Sequence, residues 1–276
     1  RSTLFPYTTL FRSNQRSDGS SVSATESDQN ALLAKGGGTL VVTDATVSKS
    51  GDDTNGDNCN FYGLNSIALS VGKDSLLKVS NSKLTATSEG SNGVFSTDSA
   101  TTYVRDSSIT TSAGNSRGLD ATYGGTILAD TLDISTQGDH SAGVATDRGG
   151  GNISLTNSTI KTAGSGSPLL YSTGDIELNN VTGSSSGSQI AGMEGLNIIL
   201  INNSTLESTQ SGKTASDPIA DGIIIYQSTS GDAETATGKT ATFQAVSSTL
   251  KSAIASGSMF YFTNTKADVV LKDTVG

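Results

Sequence analysis

The stretch NISLTNSTIKT (152–162) alternates apolar and polar positions, breaks at Asn157 and resumes its apolar face at Ile160. The template apolar-x-apolar-x-(Asn/Asp/Ser/Thr)-x-x-apolar recurs with its polar anchor at Asp44, Asn81, Asp106, Thr131, Asn157, Asn180, Asn203, Ser247 and Asp273. Successive anchors lie 37, 25, 25, 26, 23, 23, 44 and 26 residues apart, and the two wide intervals hold insertions rich in Gly, Asp and Ser. The closing apolar slot is filled in most copies and is Gly at 183 and 276. A second apolar series runs between the anchors through Ile67, Val94, Leu119, Val144 and Leu169, the last four at a constant spacing of 25. It continues less regularly through Ile190, Ile224 and Phe260.

Two series that share one period mean one structural unit repeated. The alternation inside each unit has period two, which predicts strands and not helices. Asn and Asp tolerate the left-handed backbone that a tight corner needs, so the anchors read as corners. The predicted unit is strand, corner, strand, Ser/Gly turn, third strand, Gly/Asp turn. The expected fold is all-β: a parallel β-helix solenoid of about 25 residues per coil and roughly nine coils, stacked about 4.8 Å apart. A sandwich of antiparallel strands would need hairpin turns and gives no reason for a fixed period.

Composition fits that reading. Only 33% of the 276 residues are hydrophobic and 5% aromatic, with 32 Gly, so each coil has few residues to bury. A narrow continuous core serves such a chain; otherwise it would sit near the edge of disorder. The net charge of −9 is spread along the chain without a Lys/Arg cluster, which argues against a nucleic-acid partner. The single cysteine, Cys59, excludes an internal disulfide framework. No run approaches the ~18 apolar residues of a membrane span, so no membrane insertion is expected of this stretch.

The ends read differently from the repeat. Residues 3–13, TLFPYTTLFRS, look like the translation of a sequencing adapter, and 1–13 are set aside as an artefact. Residues 14–26 read as a disordered lead-in, and 27–276 as the repeat domain, truncated at its C-terminus.

On these residues the chain resembles the right-handed parallel β-helix (pectate-lyase-like) superfamily. The Ser/Thr/Gly-rich style, with RGLDATYGG (117–125) and ATDRGGG (145–151) on successive coils, resembles adhesin-like repeat proteins of bacterial surfaces. The superfamily holds both enzymes and inert scaffolds. Its polysaccharide hydrolases use clustered Asp residues, a Gly-His-Gly and an Arg-x-Lys, and this chain has one histidine, His140, and no such set.

The residues that could carry chemistry cluster on two coils: Arg117 and Asp120 on one, Asp139, His140, Asp147 and Arg148 on the next. Two carboxylates about 5–9 Å apart suit glycoside hydrolysis, and an Arg could hold a sugar carboxylate. The preferred reading is plainer, an Arg–Asp ladder closing turns, with Arg117 paired to Asp147 and Arg148 to Asp120. The loop SGDDTNGDNCNFYG (50–63) offers oxygens to Ca²⁺ from Asp52, Asp53, Asn55, Asp57 and Asn58, without the order of an EF-hand; a solvated loop is the plainer reading. Cys59 reads as an inert thiol. Within the 44-residue interval, 207–221 and 228–239 read as two long turns around GIIIYQ. Tyr123, Tyr171 and Tyr226 are the aromatics expected near that face, where they could stack weakly on sugar rings. The Asn-x-Thr and Asn-Ser-Thr triplets at Asn157, Asn180 and Asn203 match glycosylation sequons but coincide with corners, so they read as structural.

The expected function is that of a non-enzymatic, extracellular module, secreted or on a bacterial surface. It would contact host or microbial glycans or proteins through many shallow polar turns. The alternatives are a polysaccharide lyase or glycoside hydrolase, and a passive spacer.

Overall fold

The computed structural model describes residues 15–214, 217–228 and 240–276. Within them the chain is nearly all β, with one short helix, and every strand pair is parallel. The strands form two long sheets, a larger one of 15 and a smaller one of nine. Each sequence repeat adds to both sheets in order along the chain, an arrangement consistent with a parallel β-solenoid.

The corners explain why these residues fold this way. All nine anchors, Asp44 through Asp273, have φ between 48° and 56°, the left-handed conformation predicted for them. Asn, Asp and Ser bear that backbone at modest cost, whereas β-branched Thr131 does so under strain. Anchor side chains also bond along the stack: Asn180 Nδ2 donates to Asn157 Oδ1 at 2.7 Å, and Asn81 donates to Asp44.

Before and beyond each anchor the inward residues of the strands align in columns. Leu40, Leu77, Thr102, Ile127, Ile153, Ile176, Ile199 and Phe243 are one such column by register, and Val47, Leu84, Ile109, Ile134 and Ile160 another. These residues are buried to near completion, and all but the polar Thr102 belong to one continuous apolar core. Gly183 occupies an apolar slot because Leu169 and Leu206 already fill the space there: a Cβ on it would sit 2.9 Å and 3.1 Å from their methyl groups.

Hydroxyls satisfy the corner backbones. Immediately after the anchor, Ser82, Ser107, Ser158, Ser204 and Ser248 each donate to the carbonyl two residues back, at 2.7–2.8 Å. The same oxygens accept N–H groups from the preceding repeat, as Ser107 does from Ser82 at 3.0 Å and Ser248 from Ser204 at 3.1 Å. A second ladder of Ser116, Ser141 and Ser167 does this at the turn before the smaller sheet. Buried polar groups must be paired, and a Ser/Thr-rich sequence pairs them without large side chains.

Three expectations change. Residues 15–24, within the expected lead-in, form strands Gln15–Asp18 and Ser21–Ala24 that pair in parallel with Thr39–Thr43 and Thr46–Lys49; the alternation of Val22 and Ala24 buries them like any other repeat. The second apolar series holds at Val94, Leu119, Val144 and Phe260 and slips by one at Ile67, Leu169, Ile190 and Ile224: the register column is Leu32, Ala68, Val94, Leu119, Val144, Leu170, Ala191, Ile223, Phe260. Ile67, Leu169 and Ile190 are also buried, because the chain enters the smaller sheet through a corner where consecutive residues face the core. Finally, 50–63 is not a solvated loop throughout: Gly56–Tyr62 form helix α1. Residues 1–14, 215–216 and 229–239, including two positions of the first long turn and most of the second, lie outside the described residues.

Candidate functional site

Helix α1 is the device that builds the site. Asn55 caps its start, accepting the Asn58 N–H at 3.2 Å, and Gly63 ends it in the left-handed conformation at φ 73°. The helix lies on the outer face of the smaller sheet, where Gly63 approaches Phe95 and Leu69 so closely that a Cβ would stand 2.6–2.7 Å from them. Its last carbonyls, which an isolated helix leaves orphaned, are met by the sheet. Asn92 Nδ2 donates to Cys59 O at 3.1 Å, Thr122 Oγ1 to Phe61 O at 2.7 Å, and Asn30 Nδ2 to Gly63 O at 3.0 Å.

Against the edge of α1 lies a pocket of about 240 Å³, between Asn60 and Phe61 of the helix, Arg117, His140 and Asp147 of two successive turns, and Pro168 and Tyr171 of a third. Three of the six catalytic candidates, Arg117, His140 and Asp147, line this one pocket. Arg117 Nη1 donates to Asn60 Oδ1 at 2.6 Å and to the Asn115 carbonyl at 3.3 Å. Asp147 Oδ1 accepts the Arg148 N–H at 2.9 Å. His140 is exposed, with φ 51°.

The other three do different work. Asp120 is wholly buried on strand Leu119–Ala121, facing away from the core that takes Leu119 and Ala121. Neither of its carboxyl oxygens has a hydrogen-bond partner, so the expected Arg148–Asp120 pair does not form. Burial, and then the neighbouring Asp147, push its pKa well above the usual carboxylate range, against a smaller opposing pull from Arg117. Arg148 instead stacks on Phe61, 3.8 Å from the ring centroid, a cation–π contact that clamps α1. Asp139 is exposed and accepts the Ser165 N–H at 3.0 Å, fixing a turn.

The three tyrosines separate into two places. Tyr123 stacks on Tyr62 at 5.7 Å, and burial, with Tyr62 next to it, raises its pKa to about 12. Tyr171 and Tyr226 converge on Glu194 Oε2, donating at 2.8 Å and 3.4 Å. Glu194 Oε1 is buried without a partner. Another buried carboxyl, Asp221, has its pKa pushed up to about 8 by burial first and the Asp217 carboxyl second.

Three of the five calcium candidates have partners of their own. Asn55 is spent on capping, Asp52 Oδ1 accepts the Glu89 N–H at 2.9 Å, and Asp53 lies against Gly90 and Cys59. Among the described residues no group of three or more His, Cys, Asp or Glu is disposed to hold a metal ion. Burial raises the Cys59 thiol to about 12, which leaves it unreactive. Among the described residues no helix is long and apolar enough to cross a membrane.

Sequence reasoning missed Asn60, Phe61, Glu194 and Asp221, and it missed a groove of about 680 Å³ on the larger sheet around Tyr103 and Leu128. The available signals were the Asn55 and Gly63 caps and the registered columns. No family model, curated protein or solved structure matches the chain.

Proposed function

We propose that the chain is a right-handed parallel β-helix of the pectate-lyase-like class, with about nine coils, working outside a bacterial cell as a rigid display module that contacts glycans or proteins of other surfaces. One observation carries this reading: among the described residues the outer faces present registered columns of side chains, one per repeat at about 4.8 Å, with an open groove around Tyr103 and Leu128. Weak contacts repeated along a stiff rod gain from multivalency.

A lyase or hydrolase is the second reading, favoured by Asp120, a carboxyl whose pKa is pushed well above the usual range by burial and then by neighbouring Asp147. A general acid must reach the bond it protonates. Asp120 is covered completely, so a polymer on this face meets Asp147 and not the proton donor.

The test uses the full chain and a panel of plant, host and microbial polysaccharides, with and without calcium. Retardation in affinity gels is read alongside release of new chain ends. Retardation without new ends is the expected result. New ends that vanish in Asp147→Ala would replace this reading with the enzymatic one, and a chain retarded by nothing would leave only a spacer.

A further inference from the structure

We infer that the pocket beside α1 takes the single terminal residue of a neutral glycan, so that the module reads chain ends there and not chain interiors. This rests on the glycan-contacting reading above and sharpens it.

Three observations lead to it. The first is size. At about 240 Å³ the pocket falls below the ~300–1,000 Å³ of sites that enclose larger ligands, so it admits about one pyranose ring.

The second is its boundary. Asn60 and Phe61 wall off one side, and α1 continues from there over Leu69 and Phe95. A polymer lying along the sheet is stopped at the helix, and only its end fits.

The third is the chemistry of the walls. Pro168 and Tyr171 supply apolar ring surface, while Arg117, His140 and Asp147 supply donors and an acceptor to neighbouring hydroxyls. An anionic sugar is disfavoured. Asp147 lines the pocket, and the Glu194 carboxylate holds the Tyr171 hydroxyl at its far wall. The Arg117 guanidinium already donates to Asn60 and Asn115.

The experiment uses the full chain with methyl glycosides of neutral hexoses and of the matching uronic acids, followed by saturation-transfer NMR and calorimetry. Affinity gels with neutral polysaccharides run in parallel. At least one neutral glycoside should bind, its uronate about tenfold more weakly, because a charged hydrogen-bonding partner distinguishes them by about that factor. Ala142 also lines the pocket, so Ala142→Leu narrows it and should abolish this binding, and Asp147→Asn should weaken it. His140→Asn, at an exposed left-handed position that Asn accepts, provides a variant with little risk to folding and should also weaken binding. Gel retardation with no glycoside binding, or binding that both Ala142→Leu and His140→Asn leave unchanged, overturns the inference while leaving the broader reading intact. Equal affinity for uronates overturns the selection for neutral sugars. If neither gels nor glycosides respond, both readings fall.

Discussion

The Ser116 N–H donates to the Ser141 hydroxyl at 2.9 Å, and that hydroxyl donates onward to the Asp139 carbonyl at 2.9 Å. One small side chain therefore satisfies backbone groups in two successive repeats. Ser141→Ala leaves the Ser116 N–H unmet in a buried corner, while the Asp139 carbonyl keeps the Asn115 N–H at 2.9 Å, and should cost about 1–3 kcal/mol. Ser135→Ala, at a half-buried outward position, should change stability by less than ~0.5 kcal/mol. Urea unfolding of the two variants checks the contrast.

Thr131 is the one β-branched residue among the nine anchors, at φ 56°. Its hydroxyl is occupied locally with Asp130 at 2.7 Å and bonds no neighbouring anchor. Thr131→Asn should stabilise by about 1 kcal/mol, because Asn enters the left-handed region at lower cost. For a chain of this size that is a rise in Tm of roughly 2–4 °C. A fall in Tm would show that the Thr131 methyl group contributes packing that outweighs the strain.

How far the sequence could be read depended on which residues carry a periodic signal. The corners were fully legible, because Asn, Asp or Ser at a left-handed position leaves a mark at fixed spacing. The register of the smaller sheet was not: Leu169 and Leu170 are both buried, so hydrophobicity could not choose between them. Helix α1 was invisible to periodicity because GDNCNFY is too short to show a face. With α1 missed, Asp120 could only be read as a surface partner of an Arg, when it is a carboxyl sealed beneath a helix. Lys49 makes the same point, being fully buried with its Nζ donating to the carbonyls of Glu26, Ser50 and Gly51.

Gly118 is required by contact rather than by backbone conformation. A Cβ there would stand 2.5 Å from the Gly143 carbonyl oxygen and 2.5 Å from Ile134 Cγ2, and Gly93 repeats the arrangement with Gly118 and Ile109. Gly118→Ala should cost about 1–3 kcal/mol, since a carbonyl fixed in a ladder cannot step aside. Gly183→Ala meets only the flexible ends of Leu169 and Leu206 and should cost clearly less. Thermal melting of both variants ranks them.

The buried carboxyls give the chain a pH dependence of definite sign. Asp221, with its pKa raised to about 8, keeps its proton in the folded state, whereas the unfolded chain releases it near the ordinary value of about 3.9. Between those values the folded state binds more protons, so stability is highest at the acid end of that window and falls as pH rises toward 8. Asp120, raised for the same reason of burial, adds to the slope. Asp120→Asn and Asp221→Asn remove the proton that the unfolded chain would release. Each should therefore leave Tm little changed near pH 4, raise it at pH 8 and flatten the profile between. A variant whose deficit or gain is the same at both pH values would show that its carboxyl titrates alike in the folded and unfolded chain.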